Sequence, residues 1–172
     1  MDNAALIQSR SDAEAKGNEV QVVEFILGDD TFAINLFDVR EIVESFRITP
    51  LPHAAPHIKG IIDLRGEITT VIDLKTVLQI AKKVTEGQAD SRFIVLDDSV
   101  TSTKTGILVD DVTSVMTVPV SEIDQTSHTG EGSSYILGII KKASDNRDDT
   151  RKELIIWLDI KTLLEGAGTI TK

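Results

Sequence analysis

Few residues of this chain can do proton, nucleophile or metal chemistry. The sequence holds three histidines, His53, His57 and His128, and no cysteine. His53-Ala54-Ala55-Pro56-His57 has the i, i+4 spacing of paired metal ligands, but that geometry needs a helix, and Pro52 and Pro56 forbid one. Any further ligand beyond His128 would have to be a carboxylate, so these read as loop histidines and no metal is expected. Asp29-Asp30, Asp97-Asp98 and Asp110-Asp111 could suggest paired catalytic acids. Each pair falls at a strand end, where aspartate closes turns and caps. Gly130-Glu131-Gly132 is too short to cradle a phosphate and lacks the following Lys-Ser/Thr. No serine lies in Gly-x-Ser-x-Gly. The inventory therefore predicts no catalytic residue, no cofactor and no enzyme activity.

The elements that would position any site belong to a small folded unit. A chain of 172 residues with 41% apolar and 27% charged side chains suits one domain or two small subdomains, and can bury about 70% of its unfolded surface. Without cysteine there are no disulfides and nothing points to an oxidising compartment. Asp and Glu number 28 against 18 Lys and Arg, a net charge of −10, the wrong sign for a nucleic-acid partner. The basic pairs Lys82-Lys83, Lys141-Lys142 and Arg151-Lys152 are scattered loop ends. No apolar run approaches the ~20 residues of a membrane span, and the acidic start lacks a signal-peptide core, so a cytoplasmic protein without direct membrane insertion is expected.

Residues 1–19 are polar and aperiodic and are expected to be a disordered tail, with 166–172 a second one. Between them, short β-rich runs alternate with turn signals: 21–27, 31–36, 57–64, 67–72, 92–96, 104–109, 116–120, 135–140 and 153–158. In the 57–72 hairpin, Ile58, Ile62, Ile68 and Ile72 are expected to fill the interior around an Arg65-Gly66 turn. Asp38 and Glu41 bracket a capping-box spacing, with Val39, Ile42 and Val43 following at helical intervals, which predicts a short helix. Asp73 is expected to cap a helix from Leu74 to about Ala81, and Asp159 a last one ending near Gly166. Thr49 to Pro56, with Pro50, Pro52 and Pro56, must be an extended loop.

An internal repeat organises these runs. Ile58-Lys59-Gly60-Ile61-Ile62 leading to Val71-Ile72-Asp73-Leu74-Lys75-Thr76 matches Ile136-Leu137-Gly138-Ile139-Ile140 leading to Trp157-Leu158-Asp159-Ile160-Lys161-Thr162. Upstream, Phe25-Ile26-Leu27 echoes Phe93-Ile94-Val95. Ala33-Ile34-Asn35-Leu36, with Val39 and Ile42, echoes Gly106-Ile107-Leu108-Val109, with Val112 and Val115. The second copy enlarges one hairpin, Lys141 to Lys152, and Lys141 to Arg151 are expected to form an exposed loop. A domain over 20–165 is expected, with repeat halves of about 20–82 and 91–165. The fold class is mainly β: two five-stranded β-barrels with short helices, closed so that no edges remain unpaired. Whether each barrel uses consecutive strands or exchanges them with its twin stays open.

Ile58-Lys59-Gly60-Ile61-Ile62-Asp63-Leu64-Arg65-Gly66-Glu67-Ile68-Thr69-Thr70-Val71-Ile72-Asp73-Leu74 closely resembles the signature of CheW-like chemotaxis coupling proteins, roughly G-[VI]-[IV]-N-L-R-G-x-[IV]-x-P-[VI]-[IV]-D-L. The resemblance runs from about Gln21 to Glu165. Asp63 replaces the usual Asn, Thr70 replaces the usual Pro, and the stretch from Lys141 to Lys152 is longer than common.

The resemblance implies an SH3-like two-barrel scaffold that couples methyl-accepting chemoreceptors to the regulatory domain of the histidine kinase CheA, recruited from the cytoplasm to receptor arrays. It also implies partner-binding roles for Arg65 and Glu41, with Val39 and Ile42 near the kinase interface and Gly60 beside them. Bland readings stand next to these: Val39 and Ile42 as core, Glu41 as the end of a capping box, Gly60 as a backbone-packing residue. Other readings of the whole are a stand-alone kinase regulatory domain, a CheV-like variant adaptor, or, more distantly, a small-barrel ligand-binding protein.

Overall fold

The computed structural model describes residues 18–44, 46–81, 91–125, 135–143 and 152–167. Of the expected tails at 1–19 and 166–172, residues 1–17 and 168–172 lie outside them, as do the Gly130-Glu131-Gly132 stretch, His128 and residues 144–151, while Glu19 begins the first strand and Gly166 ends the last helix. Strands β1 (Glu19–Leu27) and β2 (Asp30–Asn35) form a hairpin, followed by a single 3-10 turn, Leu36–Asp38. Then come β3 (Val39–Val43), β4 (Ile58–Leu64), β5 (Glu67–Asp73) and the short helix α1 (Leu74–Val77). The second half supplies β6 (Arg92–Leu96), β7 (Thr105–Val109), β8 (Asp111–Pro119), β9 (Ile123–Asp124), β10 (Ile136–Ala143), β11 (Lys152–Leu158) and α2 (Ile160–Gly166).

Two expectations are corrected here. Residues 39–43 are a strand, not a helix: Val39, Glu41 and Val43 are half-buried while Arg40 and Ile42 are exposed, a period of two that β-branched residues favour. Pairing with β6 overrides the capping-box spacing. Helix α1 stops at Val77 because Gln79 turns left-handed (φ 58°), which returns Leu78 and Ile80 onto the core. At α2 the expectation holds, with Asp159 accepting a hydrogen bond from the Thr162 amide.

The strands are exchanged. One sheet runs β8-β1-β2-β11-β10-β9 and the other β3-β6-β7-β5-β4, so each takes its central hairpin from the opposite repeat. We term these subdomain I and subdomain II. The parallel ladders fix the correspondence between repeats: Ala33 faces Trp157 and Gly106 faces Val71, as the repeat alignment requires. The β1 echo needs a shift. Ala33 faces Glu24 and Gly106 faces Val95, so Glu24 corresponds to Val95, and Phe25 to Leu96 rather than to Phe93. Both strands are buried on two faces and read as near-continuous apolar runs, which erases the period that would have fixed register.

Three apolar clusters follow. The largest lies between the sheets and joins Phe25, Phe32 and Ile34 with Ile72, Ile94, Ile107, Leu158 and Leu164, all buried. Subdomain I keeps an interior of Val22, Ala33, Val118, Ile123, Ile140, Ile155 and Trp157, and subdomain II one of Ile62, Val71, Phe93 and Val95. A buried ion pair crosses the junction. Lys75 Nζ on α1 lies 2.7 Å from Asp110 Oδ1, and Asp110 Oδ2 accepts from the Gly28 amide in the β1–β2 turn at 2.7 Å. Lys141 to Ala143, expected in a loop, extend β10 instead, Lys142 pairing with Glu153.

Candidate functional site

The two-residue connection between β4 and β5 places Arg65 and Gly66 both at positive φ, 52° and 85°. This is the backbone of a type I′ hairpin turn, whose twist matches that of the flanking strands. Asp63 Oδ1 accepts from the Gly66 amide at 2.8 Å, a bond that the amide oxygen of the usual Asn would make equally, so that departure leaves the turn intact. At the other departure, the Thr70 amide donates to the Lys104 carbonyl at 2.9 Å, a bond proline could not make.

The turn carries Arg65 to the free edge of β3. Its Nη2 lies 2.6 Å from Glu41 Oε2, with the arginine side chain 79% exposed and the glutamate 24%. Arg40, on the other face of β3, reaches Glu67 and Asp98 at 3.9 Å each, and Lys104 reaches Asp98 at 2.7 Å. These ion pairs span the rim where sheet II has no backbone ladder between β3 and the β4–β5 turn. As exposed pairs they contribute little to stability, about 0–1 kcal/mol each. What they do is hold charged groups in fixed positions at a strand edge.

Apolar residues stand exposed beside the charges. Ile42 follows Glu41 on β3 and is 38% exposed, and Ile68, two residues after Gly66, is 59% exposed. The expectation that Ile68 fills the barrel is therefore corrected. Thr69 and Val71 take the buried positions, and Ile68 shares the opposite face with Ile72 but lies beyond the central core. Val39 packs half-buried against the central cluster, so its core reading holds in the free chain.

Gly60 is separate from this group. It is buried at the far end of β4, φ 153°, where a Cβ would sit 2.3 Å from the Thr49 carbonyl oxygen. Thr49 and Ile61 exchange both backbone hydrogen bonds there, at 2.8 and 2.9 Å. Gly138 stands at the same point of the second repeat, against Ile123 and Asp124 of β9. Close backbone approach explains both positions.

Of the sequence-selected residues, the structure joins Arg65 to Glu41, puts Ile42 on the opposite face of the same strand, and leaves Val39 in the central packing and Gly60 at the far end of β4. Sequence reasoning missed Arg40, Glu67, Asp98, Lys104 and Ile68. Reading 39–43 as a strand would have put Arg40 and Ile42 on its outward face. His53 and His57 lie in the proline loop, His53 exposed, and no group of three or more His, Asp or Glu suited to a metal occurs among the described residues. No helix among them is long and apolar enough to cross a membrane.

Comparison with known proteins locates this arrangement. Residues 21–168 match a family model described as the CheW-like domain. The chain is 28% identical over 152 residues to chemotaxis protein CheW of Treponema pallidum, spanning 86% of this chain and 84% of that one. It is 28% identical over 147 residues to chemotaxis protein CheW of Thermotoga maritima, spanning 86% and 89%. Among solved structures, the scaffolding protein TtCheW from Thermoanaerobacter tengcongensis superposes with a TM-score of 0.69 at 31% identity, covering 85% of this chain and 92% of that chain.

Proposed function

The chain belongs to the CheW-like family of chemotaxis scaffold proteins, and from that membership we propose that it couples methyl-accepting chemoreceptors to the regulatory domain of the histidine kinase CheA. It does so without catalysis, in the cytoplasm, by holding two partners at once. The observation that carries this reading is the exposed Arg65–Glu41 pair on a two-residue turn, with Ile42 and Ile68 exposed on the opposite face of the same strands. A guanidinium mostly in water adds little to folding, yet it is held in place by Glu41, and arginine is among the residues enriched in interface hot spots.

The experiment pairs a thermal melt with titrations against a receptor cytoplasmic fragment and against the kinase regulatory domain. Arg65→Glu should cost about 1 kcal/mol in the melt, because an exposed ion pair is lost and two carboxylates face each other. It should cost about 2 kcal/mol or more in binding to a partner that buries the arginine. The exchange of Glu41→Arg with Arg65→Glu should restore the melt and leave binding weak. If the melt falls sharply while affinity per folded molecule is unchanged, Arg65 is a structural clamp.

A further inference from the structure

The two subdomain interiors can be compared position by position. In subdomain II the Phe93 ring packs with Phe46, centroids 5.7 Å apart and planes tilted by 49°. The strand registers put Val22 where Phe93 stands, since Val22 faces Met116 on β8 as Phe93 faces Val43 on β3. Phe46 lies in the link from β3 to the Thr49 bridge. The corresponding stretch, the end of β8 and its link to β9 from Thr117 to Glu122, carries no aromatic residue. Subdomain I thus lacks both rings that fill its twin. Trp157 replaces Val71, but its Nε1 is tied to Asn35 Oδ1 at 2.9 Å, on the side of β2.

A cavity of about 540 Å³ open to solvent lies between β8 and β10, lined by Ser121, which precedes Asp124 by three residues as Phe46 precedes Thr49; Val22 does not line it. Its floor is apolar: Val118, Ile123 and Ile140 are buried, with Met116 half-buried beside them. Its mouth carries the hydroxyls of Thr117 and Ser121, both exposed. Lys141 and Lys142 face Glu122 and Asp124 around the same opening, and Lys142 also reaches the buried Glu24 carboxylate at 3.4 Å.

We propose that this cavity is a binding site for a small uncharged aromatic molecule bearing one hydrogen-bonding group, of the phenol class. The apolar floor takes a ring, as subdomain II shows by holding its own Phe46 over an equivalent floor. The two ammonium groups at the mouth are set against Glu122, Asp124 and the Glu24 carboxylate that Lys142 reaches, so no positive field selects an anion. The Ser121 and Thr117 hydroxyls supply the polar contact. The site lies in the subdomain opposite the Arg65 turn, so it can be filled while a partner is held there.

The test is a methyl NMR titration of the full chain with phenol, with cyclohexanol and benzoate as shape and charge controls. Phenol should give saturable shifts at the Met116, Ile123 and Ile140 methyls, and each control should bind roughly tenfold more weakly or worse. Ser121→Phe, which supplies the missing ring from the rim, should abolish those shifts with the melting temperature unchanged or raised. Met116→Phe should do the same by filling from the β8 wall, which keeps the test open if one variant misfolds. Absence of saturable phenol shifts at these methyls overturns the proposal, as do shifts that survive in a folded filling variant. Equal binding of cyclohexanol or benzoate overturns the ligand class.

Discussion

Arg65 holds φ at 52°, a left-handed backbone that glycine or asparagine adopts at lower cost, by about 1 kcal/mol or more. A residue chosen only to turn the chain would therefore not be arginine. Arg65→Asn should leave the melt unchanged or slightly raised, since relief at the backbone offsets the lost Glu41 contact, while partner binding falls. A melt and a titration on one preparation check this. Gly60 predicts the opposite separation. Gly60→Ala drives a methyl into the Thr49 carbonyl at a φ that side chains avoid, and should cost about 2–4 kcal/mol in a denaturant titration with any loss of binding following the folded fraction. Gly60 and Arg65 share a motif, and only their surroundings separate a glycine that shapes the sheet from an arginine left exposed on a turn. The motif made the turn and Arg65 legible, and the wider resemblance pointed to Glu41. The contact between Arg65 and Glu41 was not legible, because it joins residues 24 positions apart across a barrel rim.

At the scale of elements, strands with one polar face were readable and strands buried on both faces were not. β4, β5, β10 and β11 emerged near their observed bounds because Gly60 and Gly138, Asp73 and Asp159 punctuate them in parallel. β3 was misread because five residues carry too little periodicity to defeat a capping-box spacing, and its partner β6 lies 49 positions further on. The β1 echo slipped by three residues because Val22 to Leu27 is nearly all apolar apart from Glu24. The β10–β11 hairpin now admits a sharper test. Lys142 faces Glu153 as Leu64 faces Glu67, so the ten residues from Ala143 to Lys152 stand where the twin hairpin has only Arg65-Gly66. Replacing those ten residues by Arg-Gly should change stability by no more than about 1.5 kcal/mol, the loop-closure difference, as read by a melt. A larger loss would mean that the excess packs on a sheet.

For the whole molecule, repeat and subdomain are different partitions of the chain. Each sheet draws its central hairpin from the other repeat, and the core between the sheets draws on both. Fragments 18–81 and 91–167 should each be unfolded alone, since neither can complete a sheet or bury its hairpin, and should recover the β circular-dichroism signal when mixed. A fragment that melts cooperatively by itself would contradict this. The same exchange governs how the chain can be made. Sheet II closes once β7 has left the ribosome, whereas the β1–β2 hairpin must wait for β11, which begins 125 residues after β1 ends. At about 5–20 residues per second that is a delay of roughly 6–25 s, during which Phe25, Leu27 and Ile34 lack their final neighbours. The first strands made are among the last to be sealed, which makes the nascent hairpin the stage of biosynthesis at which this chain most needs shelter.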